Sequence, residues 1–360
     1  MERIIIKKSA VITPFGDTAD TAKDLYDKKS AVTAQNVFGL SASLAYIKEN
    51  YTRVPKETVK SYAPDCAEFD SSRTLFIFAV AKGDINAIVD KDYCGYSPVL
   101  SRQAVEVAQD LGLSKCKIMV LSNACAAGAT ALDTARLFLC AGDFERVIIF
   151  GFELVSEFVV KGFNALSALS PTAARPFDKN RNGMSLGEGS GICVLERGEE
   201  KAGDICVLGS GTSNDANHRT GPSRTGDGLA LAIERALKSA GLCTKDIGAI
   251  KCHGTATPYN DAMEAKALNL IFGKNVAPMV SLKGAIGHLS GAGSLIEAII
   301  SAEFLKNGKI PPTLNFEEFE GEEKITIKNE CQDIKGNSIL CLSAGFGGLN
   351  AAVILGRLEK

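Results

Sequence analysis

The sequence predicts an α/β fold with mixed sheets. Three observations carry that expectation: apolar, β-branched runs recur along the chain, segments of helical spacing lie between them, and 35 glycines supply tight turns. Taken in order, helix 101–111 precedes strand 117–121, and helix 128–139 precedes strand 146–152. Strands 191–196 and 204–208 follow, then helix 228–239, strand 247–252, helix 261–271, strand 279–282 and helix 293–305. Runs at 324–327, 338–342 and 351–355 complete the pattern. Several runs are continuously apolar, as strands buried on both faces are. Residues 118–136 and 279–300 echo one another, each reading as strand, turn with one reactive residue, and helix lined with small side chains. The echo suggests a duplicated core with the active site where the halves meet, but strand, turn and helix follow one another in any α/β protein, so the echo alone decides little; the halves are expected at 1–200 and 201–360.

Composition excludes several classes of function. The formal net charge of −2 gives no electrostatic case for nucleic acid, which needs clustered Lys and Arg. The 11 cysteines are odd in number and contain no CxxC pair, so they read as free thiols in a reducing cytoplasm. Cys193 and Cys206, inside apolar runs, read as buried strand residues. His218, His253 and His288 are far apart in sequence, so no metal site is expected. The start of the chain has only three consecutive apolar residues, too few for a signal-peptide core, and no run approaches 18 uncharged apolar residues, so no membrane span is expected. The acidic stretch 317–323 reads as a solvated loop.

Cys125 is the first candidate for chemistry. It lies in Asn123-Ala-Cys-Ala-Ala-Gly128, after a predicted strand and at the head of a predicted helix. The partial positive charge of a helix N-terminus stabilises a thiolate, and small neighbours leave the sulfur accessible. The competing reading is a buried structural cysteine, and the local context leaves both open. His253, in His253-Gly-Thr-Ala-Thr-Pro258, and His288, in Lys283-Gly-Ala-Ile-Gly-His288, each follow a strand among glycines, where functional residues concentrate.

These motifs, in this order and together with Gly345-Phe-Gly-Gly-Leu-Asn350, resemble the elongating β-ketoacyl-acyl-carrier-protein (ACP) synthases, the type II ketosynthases of fatty-acid, polyene and polyketide assembly. Gly162-Phe-Asn-Ala-Leu-Ser-Ala-Leu-Ser170 and Arg175-Pro-Phe-Asp-Lys-Asn-Arg-Asn-Gly183 match too, and the similarity runs from Thr13 to the C-terminus. The resemblance implies a thiolase-like fold, with duplicated α/β halves in α-β-α-β-α layers. It implies a decarboxylative Claisen condensation of an acyl-enzyme thioester with malonyl-ACP. Cys125 would carry the acyl group, and His253 and His288 would stabilise the enolate through N–H bonds, with Lys283 supporting the local charge. Backbone N–H groups of Cys125 and Phe346 would form the second oxyanion hole. Thr255 and Thr257 would bind the phosphopantetheine arm, Phe346 would gate the acyl channel, and His218 and Thr220 would contact substrate peripherally. Asp261, Glu264 and Glu297 match acidic positions that order the site. The partners implied are ACP and a second subunit, as a homodimer or as a heterodimer with a ketosynthase-like chain. The pantetheine arrives on ACP, so no separate cofactor is implied.

Against this pattern the chain is short before Cys125, and Tyr259 is large for its place in the pantetheine-binding stretch. Three alternatives remain: a non-catalytic chain-length partner, a thiolase-fold acyltransferase using coenzyme A, and a serine hydrolase. The last rests on Gly183-Met-Ser-Leu-Gly187, but a nucleophile elbow needs strand, turn and helix, and here a strand follows Ser185. Cys125 argues against the first, and a histidine at 288 argues against the second.

Overall fold

The computed structural model describes residues 2–47, 55–90, 92, 95–199 and 201–358. In chain order the first elements are β1 (Glu2–Ile12), α1 (Thr18–Tyr26), β2 (Thr33–Val37), β3 (Leu40–Ala45), α2 (Pro55–Ser61), α3 (Ala63–Cys66), β4 (Thr74–Ala79), α4 (Asn86–Val89), α5 (Leu100–Asp110) and β5 (Lys117–Leu121). Next come α6 (Ala127–Ala141), β6 (Arg146–Glu153), α7 (Glu157–Ala165), β7 (Leu186–Gly187) and β8 (Gly189–Glu199). Then follow β9 (Ile205–Asn214), α8 (Asp227–Ala240), β10 (Ala249–Lys251), α9 (Pro258–Phe272), β11 (Met279–Val280) and α10 (Lys283–Ile286). The last are α11 (Ser290–Asn307), β12 (Lys309–Ile310), β13 (Gln332–Asp333), β14 (Ser338–Gly345) and β15 (Leu349–Arg357).

Ten strands form one sheet in two sets of five. The first set runs β1-β8-β6-β4-β5, with two antiparallel pairings followed by two parallel ones. The second, β9-β15-β14-β10-β11, repeats that sequence of pairings. Only Ile4↔Val207 and Ile5↔Cys206 join the sets, across β1 and β9.

Side-chain alternation explains the layering. On β6, Val147 and Ile149 face a core shared with α6 and α11, while Ile148 and Phe150 face a second core under α5. On β14, Ile339 and Cys341 join the shared core, and Leu340 and Leu342 pack under α8 and α9. Each strand is therefore apolar on both faces, and each set of five lies between two helical layers. Helices α6 and α11 pack on each other and touch strands of both sets, so the order of layers is helix, sheet, helix, sheet, helix. This is the thiolase-like architecture. Gly128 permits the central contact: a Cβ there would sit 2.4 Å from the Leu295 nitrogen on α11.

The structure departs from the sequence reading at both ends. Strands β1 to β4 lie in a region the periodicity left unassigned. In β1 the register shifts between Ile6 and Lys8, and this bulge breaks the period of two. The run 324–327 forms no strand; Ile327 alone makes a single bridge to Met279 beside β11. The acidic stretch is not merely solvated, because Glu317 pairs with Arg175 at 3.0 Å and Glu320 with Arg181 at 3.2 Å. The stretch Ala124–Ala141 has the length and mean hydropathy of a membrane-crossing helix, but it carries Asp133 and Arg136 and packs against the sheet as a core helix does. No disulfide joins the ten described cysteines, and Cys193 and Cys206 are buried in β8 and β9; Cys94 lies outside the described residues.

Candidate active site

Cys125 sits where β5 hands over to α6. Ala124 adopts a left-handed φ of +46°, unusual for a residue with a side chain, and a single 3₁₀ turn, Ala124–Ala126, leads into the helix. The bend leaves Cys125 only 8% exposed, in the wall of a cavity of about 470 Å³. Its carbonyl accepts from the Ser343 hydroxyl at 3.1 Å and the Ser294 hydroxyl at 3.4 Å, tying it to β14 and α11. Burial pushes the thiol up to about 11, reinforced by Glu153 and opposed by Lys283 and Lys82. The resting group is a protonated thiol, because desolvation outweighs the stabilisation expected from the helix head.

The two imidazoles come from the other half of the chain. His253 follows β10, and its amide donates to Glu264 Oε1 at 2.6 Å. His288 lies between α10 and α11. Its amide donates to the Ser185 carbonyl at 2.7 Å, and its carbonyl accepts from the Gly187 amide at 3.1 Å. Gly287, at φ +73°, makes this clamp possible, since a Cβ there would lie 2.5 Å from the Leu186 carbonyl oxygen. The rings meet edge to face, with centroids 5.3 Å apart and planes at 84°. Both are buried and line the same cavity as Cys125. Neither ring nitrogen of His288 has a protein partner. Burial, then the Lys283 ammonium, pulls His288 down to about 3, and the same two causes hold His253 well below its ordinary value. Both rings are neutral at physiological pH.

A charged layer stands behind them. Lys283 Nζ donates to the His253 carbonyl at 2.6 Å and pairs with Glu297 Oε1 at 2.8 Å. Lys251 Nζ pairs with Glu297 Oε2 at 2.7 Å and donates to the Leu342 carbonyl at 2.8 Å. Burial alone would raise Glu297, but the two ammonium groups outweigh it and hold the carboxyl below its ordinary value. Glu264 bonds the amides of His253 and Gly254, while burial raises it to about 7. Asp261 bonds the amides of Phe177, Thr255 and Ala256, which fixes the turn after His253. On the far side, Glu153 pairs with Lys82 at 2.7 Å and accepts from the Ala81 and Gly291 amides at 2.7 and 3.3 Å. Among the described residues, no group of three His, Cys, Asp or Glu is arranged to hold a metal ion.

Two family models match the chain, described as beta-ketoacyl synthase N-terminal domain over residues 96–201 and beta-ketoacyl synthase C-terminal domain over residues 205–317. The chain belongs to the beta-ketoacyl synthase family. A 3-oxoacyl-[acyl-carrier-protein] synthase 2 from Staphylococcus aureus (strain COL) is 35% identical, the match covering 71% of this chain and 64% of the relative's length. A beta-ketoacyl synthase from Burkholderia phymatum STM815 superposes with a TM-score of 0.84 at 25% identity, covering 100% of both chains. A ketosynthase in complex with its chain length factor, from Xenorhabdus doucetiae, gives 0.86 at 25% identity, over 99% of this chain and 98% of the matched one.

The cavity gathers most of the residues singled out from sequence. Cys125, His253, His288, Thr255, Thr257, Phe346, His218 and Thr220 all line it. Thr255 Oγ1 lies 2.8 Å from Thr257 Oγ1. Phe346 packs on Phe163, centroids 5.7 Å apart. His218 is an exposed rim residue whose Nδ1 accepts from the Thr220 and Gly221 amides at 3.1 and 3.0 Å. Tyr259, 77% exposed, stands at the mouth on the first turn of α9. Lys283 is not part of the cavity wall; it lies behind it, spent on Glu297 and the His253 carbonyl. Ser185 is buried with its hydroxyl 2.6 Å from that of Ser43 and 2.8 Å from the Ala174 amide it accepts from, and it heads no helix. Sequence reasoning missed Lys251, Lys82 and Glu153. The available signals were a lysine inside the apolar run before His253, and charged residues just beyond two strand ends.

Proposed function

We propose that the protein catalyses decarboxylative Claisen condensation between an acyl group held on Cys125 and malonyl-ACP, giving β-ketoacyl-ACP. One observation carries the reading: two buried, neutral imidazoles, those of His253 and His288, share a cavity with a cysteine at a helix head. An imidazole so hard to protonate is a poor proton acceptor at neutral pH, but its N–H is a good donor to a forming oxyanion. In the first step the Cys125 sulfur attacks the acyl thioester, the carrier thiol leaves with the proton, and a new thioester forms. Malonyl-ACP then loses carbon dioxide, and the electron pair moves onto its thioester oxygen, which both N–H groups hold. The enolate carbon attacks the acyl-Cys125 carbonyl, whose oxygen is held by the amides of Cys125 and Phe346. Collapse expels the Cys125 sulfur as a thiolate, which takes up a proton from solvent and restores the enzyme.

Thr255 and Thr257 are suited to the amides of the pantetheine arm, with His218 and Thr220 at the rim. Lys283 acts from behind the wall, through His253. The nucleophile comes from residues 1–200 and both imidazoles from residues 201–360. ACP is the partner and supplies the pantetheine, so the reaction needs no further cofactor, and the protein works in the cytoplasm as a homodimer. The structural likeness to a ketosynthase complexed with its chain length factor makes a heterodimer the second reading.

Intact-mass analysis of the purified chain with a panel of acyl-ACPs tests this. The expected result is one acyl adduct per Cys125 and β-ketoacyl product on adding malonyl-ACP. Full condensing activity in Cys125→Ala would overturn the reading. Loading without product in the isolated chain, restored by a second ketosynthase-like subunit, would select the heterodimer, and acyl transfer from coenzyme A alone would select a thiolase-type acyltransferase.

A further inference from the structure

Lys251 is fully buried, and the condensing chemistry does not by itself require it. Its ammonium and that of Lys283 divide one carboxylate, each taking a different oxygen of Glu297 at 2.7 and 2.8 Å. Each ammonium spends a further bond on a backbone carbonyl. Lys283 takes that of His253, and Lys251 takes that of Leu342, whose neighbour Ser343 holds the Cys125 carbonyl. One charged cluster thus connects β10, α10, α11 and β14, and through them the backbones of His253 and Cys125. Two ammonium groups against one carboxylate leave the cluster with one uncompensated positive charge in a layer without water contact. Burying such a charge is costly, and a single Lys–Glu pair would have avoided it.

We propose that Lys251 is a positioning residue of the condensing site: its ammonium divides Glu297 between two lysines and sets a second positive charge behind His253 and His288, disfavouring protonation of both rings. The proposal rests on the condensing function argued above. The charged groups around the rings are Lys251 of β10, Lys283 of α10, Glu297 of α11, Lys82 after β4 with its partner Glu153 of β6, and Glu264 and Asp261 of α9. The two α9 carboxyls are bonded to backbone amides, and Glu153 is matched by Lys82. Within the Lys251–Glu297–Lys283 cluster the ammonium groups outnumber the carboxylate, and Lys82 adds its charge to theirs at His288. Lys251 and Lys283 both act to keep His253 and His288 unprotonated.

The test uses the full chain labelled with ¹³C at histidine Cε1. Only three histidines are present, and exposed His218 serves as an internal reference. Lys251→Met removes the ammonium and keeps the stem. The expected result is that His253 and His288 begin to protonate about one pH unit higher than in the wild-type chain, with the acid limb of malonyl-ACP decarboxylation moving by the same amount. In the Lys251→Met, Glu297→Gln double variant the net charge returns to that of the wild type, and both titrations move back. A folded Lys251→Met chain whose imidazoles titrate as in the wild type overturns the proposal. If Lys251→Met does not fold, Glu297→Gln and the double variant, which differ by the same ammonium, make the comparison, and identical titrations there overturn it. Acyl loading of Cys125 is measured on the same wild-type sample. Its failure would sink the condensing function while leaving the titration result to stand or fall separately.

Discussion

In the first half of the molecule the parallel strands β4, β6 and β5 lead to Lys82, Glu153 and Cys125; in the second, β10, β14 and β11 lead to His253, Phe346 and His288. The backbone plan is the same, yet burial moves the reactive groups in opposite directions. It pushes an acid, the Cys125 thiol, up to about 11, and pulls a base, the His288 ring, down to about 3. Desolvation penalises whichever form is charged, so one apolar environment produces both shifts. Two copies of one supersecondary unit thus hold a neutral acid against a neutral base. The difference between them lies in the residue at the turn and the charges placed behind it.

The largest effect that sharpens this contrast is kinetic. Iodoacetamide modification of Cys125, followed by mass, is expected to rise about tenfold per pH unit between about pH 7 and 10, since the thiolate is the reactive form. A rate already flat at neutral pH would break the comparison on the thiol side. Next in size, His288→Ala is expected to slow malonyl-ACP decarboxylation by about 100- to 1000-fold, the cost of one oxyanion donor, while acyl loading of Cys125 stays within a few-fold. Equal loss of both half-reactions would mean that the halves do not divide the chemistry.

Stability follows the same sign logic. Both imidazoles ionise less readily folded than unfolded, so the unfolded chain binds more protons below about pH 6.5. Their contribution is present above that pH and is lost as pH falls, by about 1.4 kcal/mol per unit for each ring. Urea midpoints should fall from pH 6.5 downward, and less steeply in His288→Asn. Gly128→Ala forces α6 from α11 and is expected to cost about 1–3 kcal/mol, as overpacking does. Smallest of all, Ala124→Gly relieves a left-handed φ but loosens the unfolded chain, and should change stability by less than about 1 kcal/mol. Its informative readout is slower acyl loading, from a less firmly held sulfur.

Much of the second half was legible in sequence because its strands are short apolar runs separated by glycine turns, as at 247–252 and 338–342. The first strands were not. The bulge in β1 places Lys7 and Lys8 against the alternation, and 324–327 alternates as a strand does without pairing as one. The site divides similarly. Cys125, His253 and His288 stood out because reactive side chains lay among small residues at strand ends. Lys251 did not, because a lysine in an apolar run carries no sign of its partner, which is Glu297, 46 residues away. Pairing of buried charge is a property of three dimensions, and no local pattern reports it.

The two ends of the long sheet also differ. At one end β11 is two residues long, buried, and flanked by the bridge from Ile327. At the other, β5 has five residues, Ile118 is 39% exposed, and no described strand pairs with its outer side. An arrangement with one sealed margin and one open margin has room for a single addition. If a like chain docks there about a two-fold axis, each copy uses up the other's free margin, and twenty strands close with no template left for a third. Among the described residues, the β5 margin is where the long sheet still has unpaired backbone to offer.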